Sequence, residues 1–144
     1  MRVGAAVLLA SVLACFLTAP AAAADPSGFR EFAWGTPLGT LEEVMKAACE
    51  FSITYTSQRG QRTINCSGYQ VPDLGPVDVT LKFNDERLRG YTIAVRRELE
   101  AQLRAAAPRL LQTPPSSGSR SGRTTSVMFH SCMMGFACLT VQSL

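Results

Sequence analysis

Hydrophobic and polar positions change period several times along this chain, and each change marks an element. The first run, "VGAAVLLASVLACFLTA", follows a single Arg2, is apolar almost throughout and ends at Pro20. Further on, Leu41, Val44, Met45 and Ala48 recur at helical spacing. Thr40, with Glu43 three residues later, forms a capping box, so a short amphipathic helix is expected from Leu41 to Cys49. Period 2 then takes over. "FSITYT" places Phe51, Ile53 and Tyr55 on one side of a strand, "SQRGQR" turns the chain, and "TINCSGYQV" returns as the second arm of a hairpin. After the breaker "VPDLGP" comes the cleanest alternation in the sequence: Val77, Val79, Leu81 and Phe83 on one face, Asp78, Thr80 and Lys82 on the other. "NDER" turns again, and "LRGYTIAV" points Tyr91, Ile93 and Val95 inward.

Helical period comes back in "RRELEAQLRAAAPRLLQ", where Leu99, Leu103 and the alanines face inward and Pro108 is expected to end or kink the helix. "TPPSSGSRSGRTTS", residues 113–126, has no period and is rich in proline, glycine and serine, so it reads as a flexible loop. "SVMFHSC" and "CLTVQS" are the last pair of strands, joined by "MMGFA" with Gly135 as its turn residue. Strands with one wet face belong to antiparallel sheets covered on the other side. The expected fold is therefore α+β, an antiparallel sheet of about five to six strands with two helices packed on one face.

The apolar N-terminal run changes where that domain begins. It is too short and too soon broken by Pro20 for a membrane span, which takes about 20 apolar residues. Small residues in "AAAAD" follow it, so residues 1–24 read as a signal peptide cut before Asp25, leaving 25–144 as a single α+β domain that is periplasmic or secreted. "VLAC", residues 12–15, also resembles a lipobox, which would place a lipid anchor on Cys15. The hydrophobic "FLTAP" after it and the position of Pro20 favour the ordinary peptidase and a soluble product.

Charge narrows the partners. The sequence has 14 basic residues, 13 once Arg2 leaves with the leader, against 11 acidic ones. No acid follows Glu100, whereas Arg104, Arg109, Arg120 and Arg123 do. A nucleic-acid binder needs a denser basic stripe with interleaved aromatics, so no nucleic acid is expected. The arginines read as a solvated face, or as a docking patch for an acidic protein partner.

Without Cys15, four cysteines remain: Cys49, Cys66, Cys132 and Cys138. An even number in an exported chain of this size reads as two disulfides. Three pairings are open. Locality favours Cys49 with Cys66, and Cys132 with Cys138 across the final hairpin.

The same hairpin carries the only candidate chemistry. Met128, His130 and Cys132 share a face of an ideal strand, and Met133, Met134 and Cys138 lie close by; these are the soft ligands monovalent copper favours. A copper-binding protein is therefore the alternative function, although an oxidising compartment closes such cysteines before they can ligate. There is no Cys-x-x-Cys pair for redox work, no Gly-x-Ser-x-Gly elbow, no His-Glu-x-x-His pair and no phosphate loop. No enzyme and no cofactor are expected. The favoured reading is a non-catalytic binding or accessory module acting through a protein surface, with Tyr69, Tyr91, Arg120 and Arg123 as candidate contact residues.

A family resemblance points the same way. "FREFAWGTPLGTLEEV", residues 29–44, resembles the opening of many small exported bacterial proteins, in which a Trp-Gly-Thr turn leads into a short helix. Together with "VDVTLKFNDERLRGYTI", it is similar to the helix-then-meander layout of outer-membrane assembly lipoproteins (SmpA/OmlA type) and of β-lactamase-inhibitor-like domains. The likeness spans residues 29–97 and implies a protein-binding role in the cell envelope with no catalytic residues. The four cysteines depart from the assembly lipoproteins.

Overall fold

A computed structural model describes residues 28–111 and 125–144. The expected signal peptide, the lipobox cysteine Cys15 and the arginines Arg120 and Arg123 lie outside the described residues. The chain is α+β. A two-residue pair of strands, β1 (Gly28–Phe29) and β2 (Phe32–Ala33), leads into α1 (Leu38–Ala48). Four strands follow: β3 (Phe51–Thr56), β4 (Arg62–Val71), β5 (Gly75–Asn84) and β6 (Arg87–Arg96). A short 3-10 turn (Arg97–Leu99) opens α2 (Glu100–Leu110), and β7 (Thr125–Met133) and β8 (Phe136–Ser143) complete the fold. Six strands form one antiparallel sheet in the order β3-β4-β5-β6-β8-β7. Among the described residues no helix is long and apolar enough to cross a membrane.

The alternation of β5 carries straight into its burial. Val77, Val79, Leu81 and Phe83 are buried, while Asp78 is exposed and Thr80 and Lys82 are half-exposed. Pairing register brings Ile64 beside Leu81, Leu81 beside Tyr91, and Ile93 beside Leu139, so one apolar face runs across the central strands. Leu38, Leu41 and Met45 from α1 and Leu103, Ala106, Ala107 and Leu110 from α2 join those residues in one buried cluster.

Three boundaries differ from the sequence reading. The capping box at Thr40 is not used: α1 begins at Leu38, its N-cap is Pro37, and no side chain caps it. Burial decides this, because Leu38 is 4% exposed and its N–H donates to the Glu86 carbonyl at 2.8 Å. Pro37 supplies the φ of −62° that leads into the first turn without side-chain help. Pro108 does not end α2, which runs on to Leu110. Near the end of the helix the ring costs only one intrahelical bond, and burial of Leu110 keeps the last turn in place. Finally, Thr125 and Ser126, expected in the loop, are the first residues of β7, paired with Ser143 and Gln142.

Two disulfides are present, Cys49–Cys66 and Cys132–Cys138, with Cα separations of 5.6 and 5.7 Å. The first ties the end of α1 to β4. The second closes the last hairpin, but not in the expected way. The connection is two residues, Met134 and Gly135, rather than five, because Met133 pairs directly with Phe136. His130, not Cys132, sits opposite Cys138, and Cys132 falls in a register shift between Ser131 and Met133. That shift reflects the two-residue turn, whose Gly135 takes a φ of +82°.

Candidate interaction surface

The face of the sheet bearing Asp78, Thr80 and Lys82 is the one facing away from the buried cluster, and register fixes what it displays. A single row crosses all six strands: Ile53, Asn65, Thr80, Thr92, Thr140 and Met128. Its middle is small and polar. The Thr80 hydroxyl donates to Asn65 Oδ1 at 3.1 Å, and the Thr92 and Thr140 hydroxyls lie 2.9 Å apart. Threonine suits this place because its branched carbon fits the pleat while its hydroxyl satisfies a cross-strand neighbour.

The two ends of the row are apolar. On β3, Phe51, Ile53 and Tyr55 are 61%, 47% and 42% exposed. On β7, Met128 is exposed, as are Met133 and Met134 at the tip of the hairpin. Among the described residues both strands are sheet edges, and an edge strand is a place where a further extended segment can pair. Large apolar side chains in water beside an open edge are unusual for a strand with no partner, since natural edges are commonly blunted by charge or proline. The β3 stripe is the more regular of the two. Its alternate residues Ser52 and Thr54 point the other way and are half-buried.

Sequence reasoning found the alternation of "FSITYT" but not its direction. Small polar residues turned toward the core side and aromatics turned to water invert the usual rule. Register supplies the direction: Ser52 pairs with Cys66, which is 2% exposed, so Ser52 and Thr54 share the inward side of the sheet with it.

Of the expected contact residues, Tyr91 is corrected. It is 1% exposed and packs against Phe29 at a centroid distance of 4.9 Å and Trp34 at 6.0 Å. Alternation along β6 had placed it inward, and the large ring fills the centre of the sheet. Burial pushes its phenol well above the ordinary range, a shift that nearby Arg30 only partly opposes. Tyr69 is half-buried, stacks at a tilt on Phe29 at 5.6 Å, and also has a raised pKa from burial, opposed by Arg30.

The C-terminal hairpin gathers less chemistry than its composition suggests. Cys132 and Cys138 are joined to each other, and His130 Nε2 sits 2.8 Å from the Thr140 hydroxyl. Among the described residues no three His, Cys, Asp or Glu side chains are grouped to hold a metal ion. On the other side of β7, the Arg104 guanidinium lies 4.6 Å over the Phe129 ring, and Arg97 donates to the Ser131 hydroxyl at 3.1 Å. These contacts hold the edge hairpin against the α2 side of the fold.

No family model, curated protein or solved structure matches this chain.

Proposed function

We propose that this chain is a non-catalytic binding or accessory module of a bacterial cell envelope, periplasmic or secreted, that acts by gripping another protein. The observation that carries the reading is β3, an edge strand among the described residues, where Phe51, Ile53 and Tyr55 stand exposed on alternate positions. Such an edge suits a partner that adds an extended segment to the sheet. Main-chain hydrogen bonds supply affinity there, and alternate apolar side chains supply selectivity. Both helices packed on the buried face would leave the hydroxyl-rich face free to receive what lies beyond that segment. The arginines Arg120 and Arg123 are retained as a steering patch for an acidic partner. The sequence resemblance to envelope assembly lipoproteins and inhibitor-like domains is a second ground for proposing a protein-binding role.

The soft-metal alternative would rest on thioethers and an imidazole. With Cys132 and Cys138 joined, the hairpin offers Met128, Met133, Met134 and His130 but no thiolate.

The test is a pull-down from native envelope extract with wild type, Ile53→Glu, and Arg120→Glu combined with Arg123→Glu. A protein recovered by wild type and lost with Ile53→Glu, while circular dichroism stays unchanged, supports the edge. Equal recovery with Ile53→Glu removes it. Any turnover abolished by His130→Ala would overthrow the non-catalytic reading.

A further inference from the structure

Phe51, Ser52, Ile53, Thr54 and Tyr55 read alike in both directions: aromatic, hydroxyl, isoleucine, hydroxyl, aromatic. The fold puts this palindrome on β3, an edge strand among the described residues, with Phe51, Ile53 and Tyr55 exposed on its outer face. Such a strand matches itself when turned end for end.

Directly opposed residues of an antiparallel pair lie on the same face of the sheet. Two copies related by a two-fold axis normal to the sheet must therefore pair about a residue. Centred between two residues, the exposed face of one copy would meet the inward face of the other. Three centres lie within the stripe. With Ser52 on the axis, Phe51 meets Ile53 of the second copy and Tyr55 falls opposite Cys49. With Thr54 on the axis, Ile53 meets Tyr55 and Phe51 falls opposite Ser57. With Ile53 on the axis every apolar residue is used: Phe51 opposes Tyr55 twice, and Ile53 opposes its own copy. On the inward side, Ser52 then opposes Thr54 twice. Aromatic pairs and hydroxyl pairs are both favourable across strands.

Charge favours the same arrangement. Residues 51–56 carry none, so nothing repels a second copy along the strand. Glu50 precedes β3 and Arg59 follows it, both exposed and neither in an ion pair among the described residues. Antiparallel approach brings the Glu50 end of each copy to the Arg59 end of the other, whereas parallel approach would set like charge against like. The other edge, β7, has no such symmetry, and Arg104 and Arg97 already engage its Phe129 and Ser131.

We propose that β3 is a dimerisation edge, on which a second copy of this chain pairs antiparallel about a two-fold axis through Ile53. The two six-stranded sheets become one continuous sheet. This rests on the reading of β3 as an edge that receives an added segment, and it names that segment. One strand from each copy makes a smaller contact than the about 1,600 Å² of a standard interface, so the dimer is reversible.

Sedimentation velocity of the intact oxidised protein, from about 10 μM to about 1 mM, reads the association. The wild-type mass should climb from monomer toward dimer over that range. Ile53→Glu sets two carboxylates face to face on the axis and should stay monomeric, with an unchanged circular dichroism spectrum. A second variant reads the register by gaining a bond. Opposed Cα atoms lie about 4.5–5.5 Å apart, within disulfide reach. Ile53→Cys should therefore cross-link to its own copy by exchange with oxidised glutathione. Phe51→Cys, displaced from its copy by about 13 Å along the strand, should not. A wild type monomeric at the highest concentration, a dimer unaffected by Ile53→Glu, or equal cross-linking of the two cysteine variants would overturn the proposal. A monomer that still loses a foreign envelope protein on Ile53→Glu overturns self-pairing alone. A dimer that recovers no foreign protein supports self-pairing, and only the grip on another protein then fails.

Discussion

The rings of Phe29 and Tyr91 meet edge to face with centroids 4.9 Å apart, and through that contact the N-terminal strand pair is fastened to the middle of the sheet. Both side chains are 1% exposed. Tyr91 enters the core as an aromatic body, and its hydroxyl finds no partner among the described residues. The polar end of the residue is thus a cost to the fold rather than a bond within it.

Tyr91→Phe should therefore change stability at neutral pH by less than about 1 kcal/mol, since no hydrogen bond is lost and an unpaired buried group is removed. Its signature is in alkali. Burial raises the Tyr91 pKa above its ordinary 10.0, so the folded state holds the phenol proton where the unfolded chain releases it. The stability this represents is fully present below pH 10 and falls as pH rises beyond it. Urea titrations should show wild type losing stability above pH 10 faster than the phenylalanine variant. Tyr69, raised in the same direction, contributes to both proteins alike. Identical alkaline slopes would mean that the ring is solvated.

A second pair of substitutions checks the register of β5. Leu81 is fully buried between Ile64 and Tyr91, and Leu81→Ala should cost about 2–5 kcal/mol. Lys82, on the opposite face and half-exposed, should cost less than about 0.5 kcal/mol on substitution by alanine. Reversed costs in chemical denaturation would place the strand one residue out of register.

The disulfides should differ in weight. Cys49 and Cys66 are separated by 17 residues, and chain entropy alone gives that bond on the order of 3 kcal/mol. Replacing both by alanine also leaves a gap at Cys66, which is 2% exposed. The Cys132–Cys138 bond spans a separation of only 6 and should contribute less. Melting of the two double-alanine variants tests the order, and the larger loss belongs to Cys49 with Cys66.

Much of the architecture was legible because local rules and burial agree. In β5 the apolar stripe is also the core stripe. In the hairpins, "NDER" and Gly135 sit where the chain turns. Where local and tertiary preferences conflict, the tertiary contact wins. Thr40 is a good cap in isolation, yet burial of Leu38 and its bond to Glu86 draw the helix start past it. The β3 edge was visible as an alternation without a direction, because a single strand carries no information on which side its neighbours cover. A cleft at the end of the sheet, where the β3–β4 and β5–β6 turns lie, was not legible at all. Its lining residues, Arg62, Arg89 and Ser143 among them, come to one end of the sheet only through the pairing of distant strands and a shift in β5–β6 register that no short motif announces.

That same turn holds a conformational oddity with a measurable cost. Asp85 and Glu86 join β5 to β6 with φ values of +50° and +59° at both central positions, the arrangement of a two-residue hairpin turn that normally calls for asparagine and glycine. A residue with a Cβ in this region is strained by about 1–2 kcal/mol. What Glu86 gives in return is its partly exposed pair with Arg62, worth about 0–1 kcal/mol, and a backbone carbonyl that any residue would supply to Leu38. Three variants separate these terms. Glu86→Gln keeps the strain and weakens the pair, so its cost reads the pair alone. Glu86→Ala removes the pair and keeps the strain, and should be destabilised by a similar small amount. Glu86→Gly removes both, and after the extra entropy of a glycine in the unfolded chain it should remain more stable than Glu86→Ala by about 1 kcal/mol. Chemical denaturation of the three proteins measures the difference. An alanine variant as stable as the glycine one would show that the turn is not left-handed at Glu86, and that the pairing of Asn84 with Arg87 must be redrawn.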